Sequence, residues 1–177
     1  MEKIEINVLK HFSPTPGPRY IHEGKFSGEL FRQTVLYPKV SEAIENNIPF
    51  EVNLDQTAGY GTSFLEESFG GLIRIHNLSY DKIMSLMTLI SNEEDYLIDD
   101  VNEYLKDADE ESKNKLIQLG IYVILIAFGY AIARFVNLPY FEVSKTIDIS
   151  NVITLIVTAW LAILITTVFE KQNNDYQ

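Results

Sequence analysis

Between residues 49 and 74 the hydrophobic period of the chain changes from two to that of a helix, across a short turn that carries two glycines. Residues 49–54 (PFEVNL) alternate as a half-buried strand does, with Phe50, Val52 and Leu54 on one side and Glu51 and Asn53 on the other. Asp55 ends the strand. Gly59 and Gly61 accept positive φ angles without steric cost, so the chain is predicted to reverse there. Ser63 is followed three residues later by Glu66, the pattern of a capping box, which predicts a helix start. That helix would carry Phe64, Leu65, Phe69, Leu72 and Ile73 into a core. A strand that runs through a tight turn into a helix belongs to an α/β fold.

The turn is also the place to look for function. A hydroxyl at Ser63 reads either as a helix cap or as a site of phosphorylation or partner contact facing the positive end of the helix dipole. Thr62 is the alternative target. The amides of Gly59 and Gly61, with Tyr60 between them, offer a third reading, an anion or nucleotide pocket. No phosphate-loop lysine follows, so the turn is not a Walker motif. Arg19 and Arg32 would serve such a pocket if they converged on the turn; otherwise they read as surface salt bridges in an acidic protein.

The segments GPRY (17–20), GKFSGELFRQTVLYP (24–38) and VNLDQTAGYGTSFLEESFGGLIR (52–74) resemble the STAS-like domain family of unknown function, over roughly residues 2–108. The resemblance implies a small α/β module. The best-known bacterial STAS domains are antagonists of anti-sigma factors, phosphorylated at the equivalent turn by a GHKL-type ATPase. It therefore implies an ATPase or kinase-like protein partner, with Thr62 or Ser63 at the matching position.

The remainder of the amino-terminal part fits this frame. Residues 3–9 alternate as a first strand with Ile4, Ile6 and Val8 on one face, and the strand starts almost at the first Met, which predicts no signal peptide. Residues 13–18 (SPTPGP) form a stiff connection, and residues 19–24 a short strand and turn. Ser27 and Gly28 open a helix with Leu30, Phe31, Val35 and Leu36 inward, broken or kinked at Pro38 and ending at Asn46–Asn47. Residues 83–90 (IMSLMTLI) read as a third strand, and Asn92 as the cap of a helix from 93 to about 108. The predicted order is βαβαβα, a small mixed sheet with packed helices.

Charge and composition exclude several functions. The net charge of -11 disfavours nucleic acid, which needs clustered Lys and Arg. The absence of cysteine removes thiol nucleophiles, disulfides and thiolate metal sites. His11, His22 and His76 are scattered, so no metal or cofactor is expected. Residues 93–115 hold ten acidic and three basic residues and read as a solvated helix face with an acidic linker at 109–115, or as a docking surface or a calcium site, although the acids are not in an EF-hand register. No nucleophile with a base beside it stands out, so the chain is expected not to be an enzyme.

Two apolar runs follow. Residues 116–136 carry one charge, Arg134, and residues 152–169 carry none, which predicts a transmembrane hairpin with an external loop at 137–151 and a tail at 170–177. Lys106, Lys113, Lys115 and Lys171 flank the termini, against Arg134 and Lys145 on the loop side. That bias places both termini in the cytoplasm, at the inner membrane. Small and hydroxyl residues, Gly129 and Ala133 in the first run and Thr154, Thr158, Ala162 and Thr166 in the second, would let helices approach closely.

Two functions follow from this architecture. One is a membrane-anchored regulatory module that receives a partner or anionic ligand at the Gly59–Ser63 turn and relays it to the hairpin. The other is a homo-oligomeric effector, as in bacterial antiviral defence, that perturbs the bilayer when its soluble domain is activated.

Overall fold

The computed structural model describes residues 3–135, with side-chain surroundings as far as Gly129. The chain divides into two compact units, Met1–Asn114 and Lys115–Gln177.

The first unit is built on three parallel strands in the order β1 (Ile4–Asn7), β2 (Phe50–Asn53), β3 (Met87–Ile90). The sheet is thus parallel among the described residues rather than mixed, because helical segments separate each strand from the next and return the chain to the same end. Ile4, Phe50 and Met87 share one register row, and Ile6, Val52 and Leu89 another. Ile6, Phe50 and Val52 are buried on that face, as their alternation requires. On the other face Glu5 and Thr88 are exposed and Glu51 is half-buried, and Lys3 reaches over to Glu51. All the core helices therefore serve one side of the sheet.

The strand predicted at 83–90 forms only in its second half. Its first half belongs to α6 (Tyr80–Leu86), whose start is capped by Ser79 accepting from the Lys82 amide. A short apolar run does not by itself distinguish strand from helix, and here the cap decides. Residues 19–24 hold no strand. Ile21–Glu23 is a single 3-10 turn, whose Glu23 carboxylate accepts the Tyr20 amide.

The first long helical run is α2 (Gly28–Phe31), a π turn (Arg32–Leu36) and α3 (Tyr37–Asn46), following the short α1 (Val8–His11). Ser27 caps it by accepting from the Leu30 amide. Pro38 neither breaks nor ends it. Proline has no N–H to donate, and the turn before it is wound wider, with the Tyr37 amide bonding the Arg32 carbonyl five residues back. Asn47 ends the run in the left-handed conformation, φ 54°.

The second run is α4 (Thr62–Leu65), a π turn (Glu66–Gly70) and α5 (Gly71–Arg74). Phe64, Leu65, Phe69, Leu72 and Ile73 are buried, as the helical period requires. The two runs touch backbone to backbone. A Cβ at Gly28 would lie 2.4 Å from the Phe64 carbonyl oxygen. A Cβ at Gly71 would lie 2.2 Å from Arg32 Nη1. Arg32 is 1 % exposed and pairs with Glu67, which is 5 % exposed, through both its carboxylate and its main-chain carbonyl.

The last described helix, α7, runs from Tyr96 to Phe135. Leu97, Val101, Leu105 and Ala108 are its buried stripe. Residues 109–115, expected as a linker, are helical and continue α7. Beyond them Leu116, Ile117, Leu119, Ile121, Val123, Ile124, Leu125 and Phe128 are exposed. Among the described residues no helix is long and apolar enough to cross a membrane. The run 116–136 is only partly within the residues whose side chains are described, and 152–169 lies outside them.

Removing one partner of a buried ion pair strands the other charge, at a cost of about 3–5 kcal/mol. Arg32→Met and Glu67→Leu are each expected to destabilise the first unit on that scale, with the double variant recovering most of the loss. Urea denaturation of the two single variants and the double variant measures it. Additive losses would show that the two side chains do not act as a pair.

Candidate functional site

The carboxyl ends of β2 and β3 open on a cleft of about 300 Å³, whose lining includes Asp55, Thr57, Gly59, Ser91, Glu93 and Glu94. In parallel sheets this is where ligands and partners are received, because the connecting loops leave the strands there. Two carboxylates clasp the loops together. Asp55 accepts the Asn92 amide at 2.7 Å, the Asn92 side-chain amide at 2.7 Å and the Glu93 amide at 3.2 Å. Glu93 in return accepts the Gln56 amide at 2.8 Å. Gln56 is held in the left-handed region, φ 66°. Burial alone would raise the Asp55 pKa, but the Asn92 side chain and the Glu93 and Asn92 amides outweigh it and hold the carboxyl below the usual range.

Asn92 is therefore not the cap of α7: the helix begins at Tyr96, four residues on, and Asn92 instead donates to Asp55. Neither the Asp55 clasp nor its reciprocal bond follows from local sequence pattern. Asp55 and Asn92 are 37 residues apart, and only the parallel pairing of β2 with β3 brings them together.

The turn itself departs from the capping-box expectation. Gly61 is the N-cap of α4, with φ -75° and no side-chain cap bond, so it does not use the freedom of glycine. Gly59 does, with φ +104°. Glu66 does not reach back to the turn, because Arg74 and Arg19 hold it. Tyr60 is half-buried and donates its hydroxyl to the Leu54 carbonyl at 2.9 Å. Burial pushes the phenol up to about 12, so it stays neutral and folds the turn back on the strand. Thr62 is exposed and Ser63 half-buried, at the start of the helical run.

Arg19 and Arg32 do not join the turn. Arg19 pairs with Glu66, and Arg32 is buried against Glu67. The predicted surface salt bridges are thus one partly exposed pair and one buried pair. Both arginines are committed to carboxylates of one π turn, and no basic side chain lines the cleft. A Cβ at Gly129 meets no atom within 4 Å among the described residues. The side chains of Ala133, Thr154, Thr158, Ala162 and Thr166 lie outside the described ones.

Residues 27–97 match the family model of the STAS-like domain of unknown function (DUF4325). The first unit is thus similar to STAS-like domains over those residues. The match runs from Ser27, the cap of α2, to Leu97, the first buried residue of α7, and so takes in the turn, the cleft and both π turns. β1 and the loop before Ser27 lie outside it. No curated protein and no solved structure matches the chain.

Two predictions follow from this geometry. Ser63→Ala is expected to cost less than about 0.5 kcal/mol, as a surface change does, against about 1 kcal/mol for a lost cap. A chemical-denaturation midpoint separates the two. Because the folded Asp55 pKa lies below its unfolded value, its stabilisation is complete above the unfolded pKa of about 3.9 and is lost as pH falls through the folded value. Amide exchange of Asn92 and Glu93 is expected to quicken over that acid window in the native chain and to be fast at neutral pH in Asp55→Ala. Equal protection in the two proteins would show that the clasp does not hold the loop.

Proposed function

We propose that the chain is a membrane-anchored, non-enzymatic STAS-like regulatory module that receives a protein partner at the turn from Gly59 to Ser63. The observation that carries the reading is the exposure of Thr62 at the head of a helix whose core face is fully packed. That arrangement presents a hydroxyl on a rigid element beside an open cleft. A protein partner suits the site better than a free anion or nucleotide. The lining carries the carboxylates of Asp55, Glu93 and Glu94, which repel phosphate. The binding-module reading is favoured over an enzyme because Glu66 and Glu67 are both held by arginines, which leaves Ser63 without a base from its own helix.

The anchor rests on the second half of α7. Eight large apolar residues between Leu116 and Phe128 are exposed on one continuous helix. Such a surface is costly in water and is covered by lipid or by another protein. The sequence continues with the uncharged run 152–169, which favours a hairpin in the inner membrane with both termini in the cytoplasm.

Alkaline carbonate extraction of membranes tests the anchor. The full chain is expected in the pellet, and a chain ended after Asn114 in the wash. Recovery of the full chain in the wash overturns the anchor. A photo-reactive residue placed at Thr62, with one at Thr88 on the open face of the sheet as control, tests the turn in cells. A discrete protein adduct from position 62 and not from 88 is expected. No adduct, or the same labelling from both positions, counts against the turn as the receiving surface.

A further inference from the structure

Glu66 stands one helical turn after Thr62 and touches two segments, through one of which it is linked to a third. One carboxylate oxygen meets Arg19, in the loop that precedes α2. The other meets Arg74 at the end of α5. The Arg74 guanidinium lies over Gly70, where an added Cβ would fall 3.0 Å from its nitrogens and crowd it. From there Arg74 Nη1 reaches Glu111 of α7 at 3.9 Å. Glu111 lies beyond Ala108, the last buried residue of α7 among the described ones. The Arg74–Glu111 pair is thus a tie between the domain and α7 past the end of the packed stripe.

Arg19 is fixed from its own side as well. Its carbonyl accepts the Glu29 amide at 3.0 Å, and the Glu29 carboxylate accepts the Ile21 amide at 3.0 Å. The loop and the end of α5 therefore share one acceptor, Glu66, and α7 joins them through the Arg74 donor that Glu66 and Glu111 share. The side chains are partly exposed: Arg19 36 %, Glu66 and Arg74 20 %, Glu111 53 %. Pairs of that kind are individually weak and readily exchanged. That suits a contact meant to be remade.

We infer that Glu66 is a positioning residue that couples occupation of the turn to the hold of the domain on α7. A partner seated at Thr62 displaces the first turn of the helical run, and Glu66 moves with it. Arg74 then changes its share between Glu66 and Glu111, and residues 103–114 of α7 loosen. The trigger rests on the reading of the turn as a receiving surface; the network itself does not.

The chain has no cysteine, so Thr62→Cys gives a single attachment point for a bulky maleimide that stands in for a partner. Hydrogen exchange of the full chain in nanodiscs is then followed by mass spectrometry, with and without the label, in the native and Glu66→Gln backgrounds. Without label, Glu66→Gln is expected to quicken exchange about fivefold in residues 17–26 and 103–114, the scale of a partly exposed ion pair, and to leave residues 50–53 unchanged. Labelling is expected to quicken 103–114 with Glu66 present and to add nothing in Glu66→Gln. Ser68→Ala, which removes a buried hydroxyl bonded to the Phe64 carbonyl without touching the network, separates coupling from general loosening and should leave 103–114 unchanged. No change at 103–114 in Glu66→Gln overturns the network. A label effect of the same size in both backgrounds, or no label effect, overturns the coupling. A failed cross-link from Thr62 in cells would instead bear on the partner alone.

Discussion

The first unit depends on two helical runs lying closer than side chains normally allow. Gly28 sits against the Phe64 carbonyl, and Gly71 sits under the Arg32 guanidinium. Arg32 and Glu67 are then enclosed between the runs, where neither charge has access to water. A buried pair of this sort adds little net stability but is intolerant of losing one member. Its effect is to fix register. In the observed register Arg32 reaches the carboxylate and the main-chain carbonyl of Glu67 together. The wide turns at Arg32–Leu36 and Glu66–Gly70 place these residues opposite each other, and one of them also absorbs the missing donor of Pro38.

With the runs locked on one face, the three-stranded sheet keeps a polar outer face and sends its loops to one end. Two of those loops are clasped by Asp55 and Glu93, and the turn from Gly59 to Thr62 stands open next to them. The packed side of the helix at that turn holds its position, while Thr62 on its other side is exposed. The carboxylates of Asp55, Glu93 and Glu94 line the cleft beside it.

The two acidic and two glycine positions of EESFGG acquire a shared meaning in this structure. Glu66 and Glu67 receive Arg74 and Arg32, and Gly70 and Gly71 give the same two guanidinium groups room to lie flat on the helix. The segment is therefore a double seat for arginine. In sequence it reads only as a stretch of helix with two poor helix formers in it.

What the chain settled by its sequence was local and periodic. Strand β2, the buried stripe of the helix after it, the Ser27 cap and the helix end at Asn46–Asn47 were all legible, because each depends on residues within one or two turns. The apolar character of residues 116–128 was legible for the same reason. Tertiary structure decided the rest. Arg32 entered the core because Glu67, 35 residues away, offered it a partner. Ser63 lost its capping partner because Arg19 and Arg74 compete for Glu66 with full positive charges, a stronger call on a carboxylate than a backbone amide. The parallel sheet, by setting β2 beside β3, brought Asn92 to Asp55, and α7 starts four residues later at Tyr96. A charged side chain takes the best counter-charge within reach, and which one is within reach is a property of the fold rather than of the neighbouring sequence.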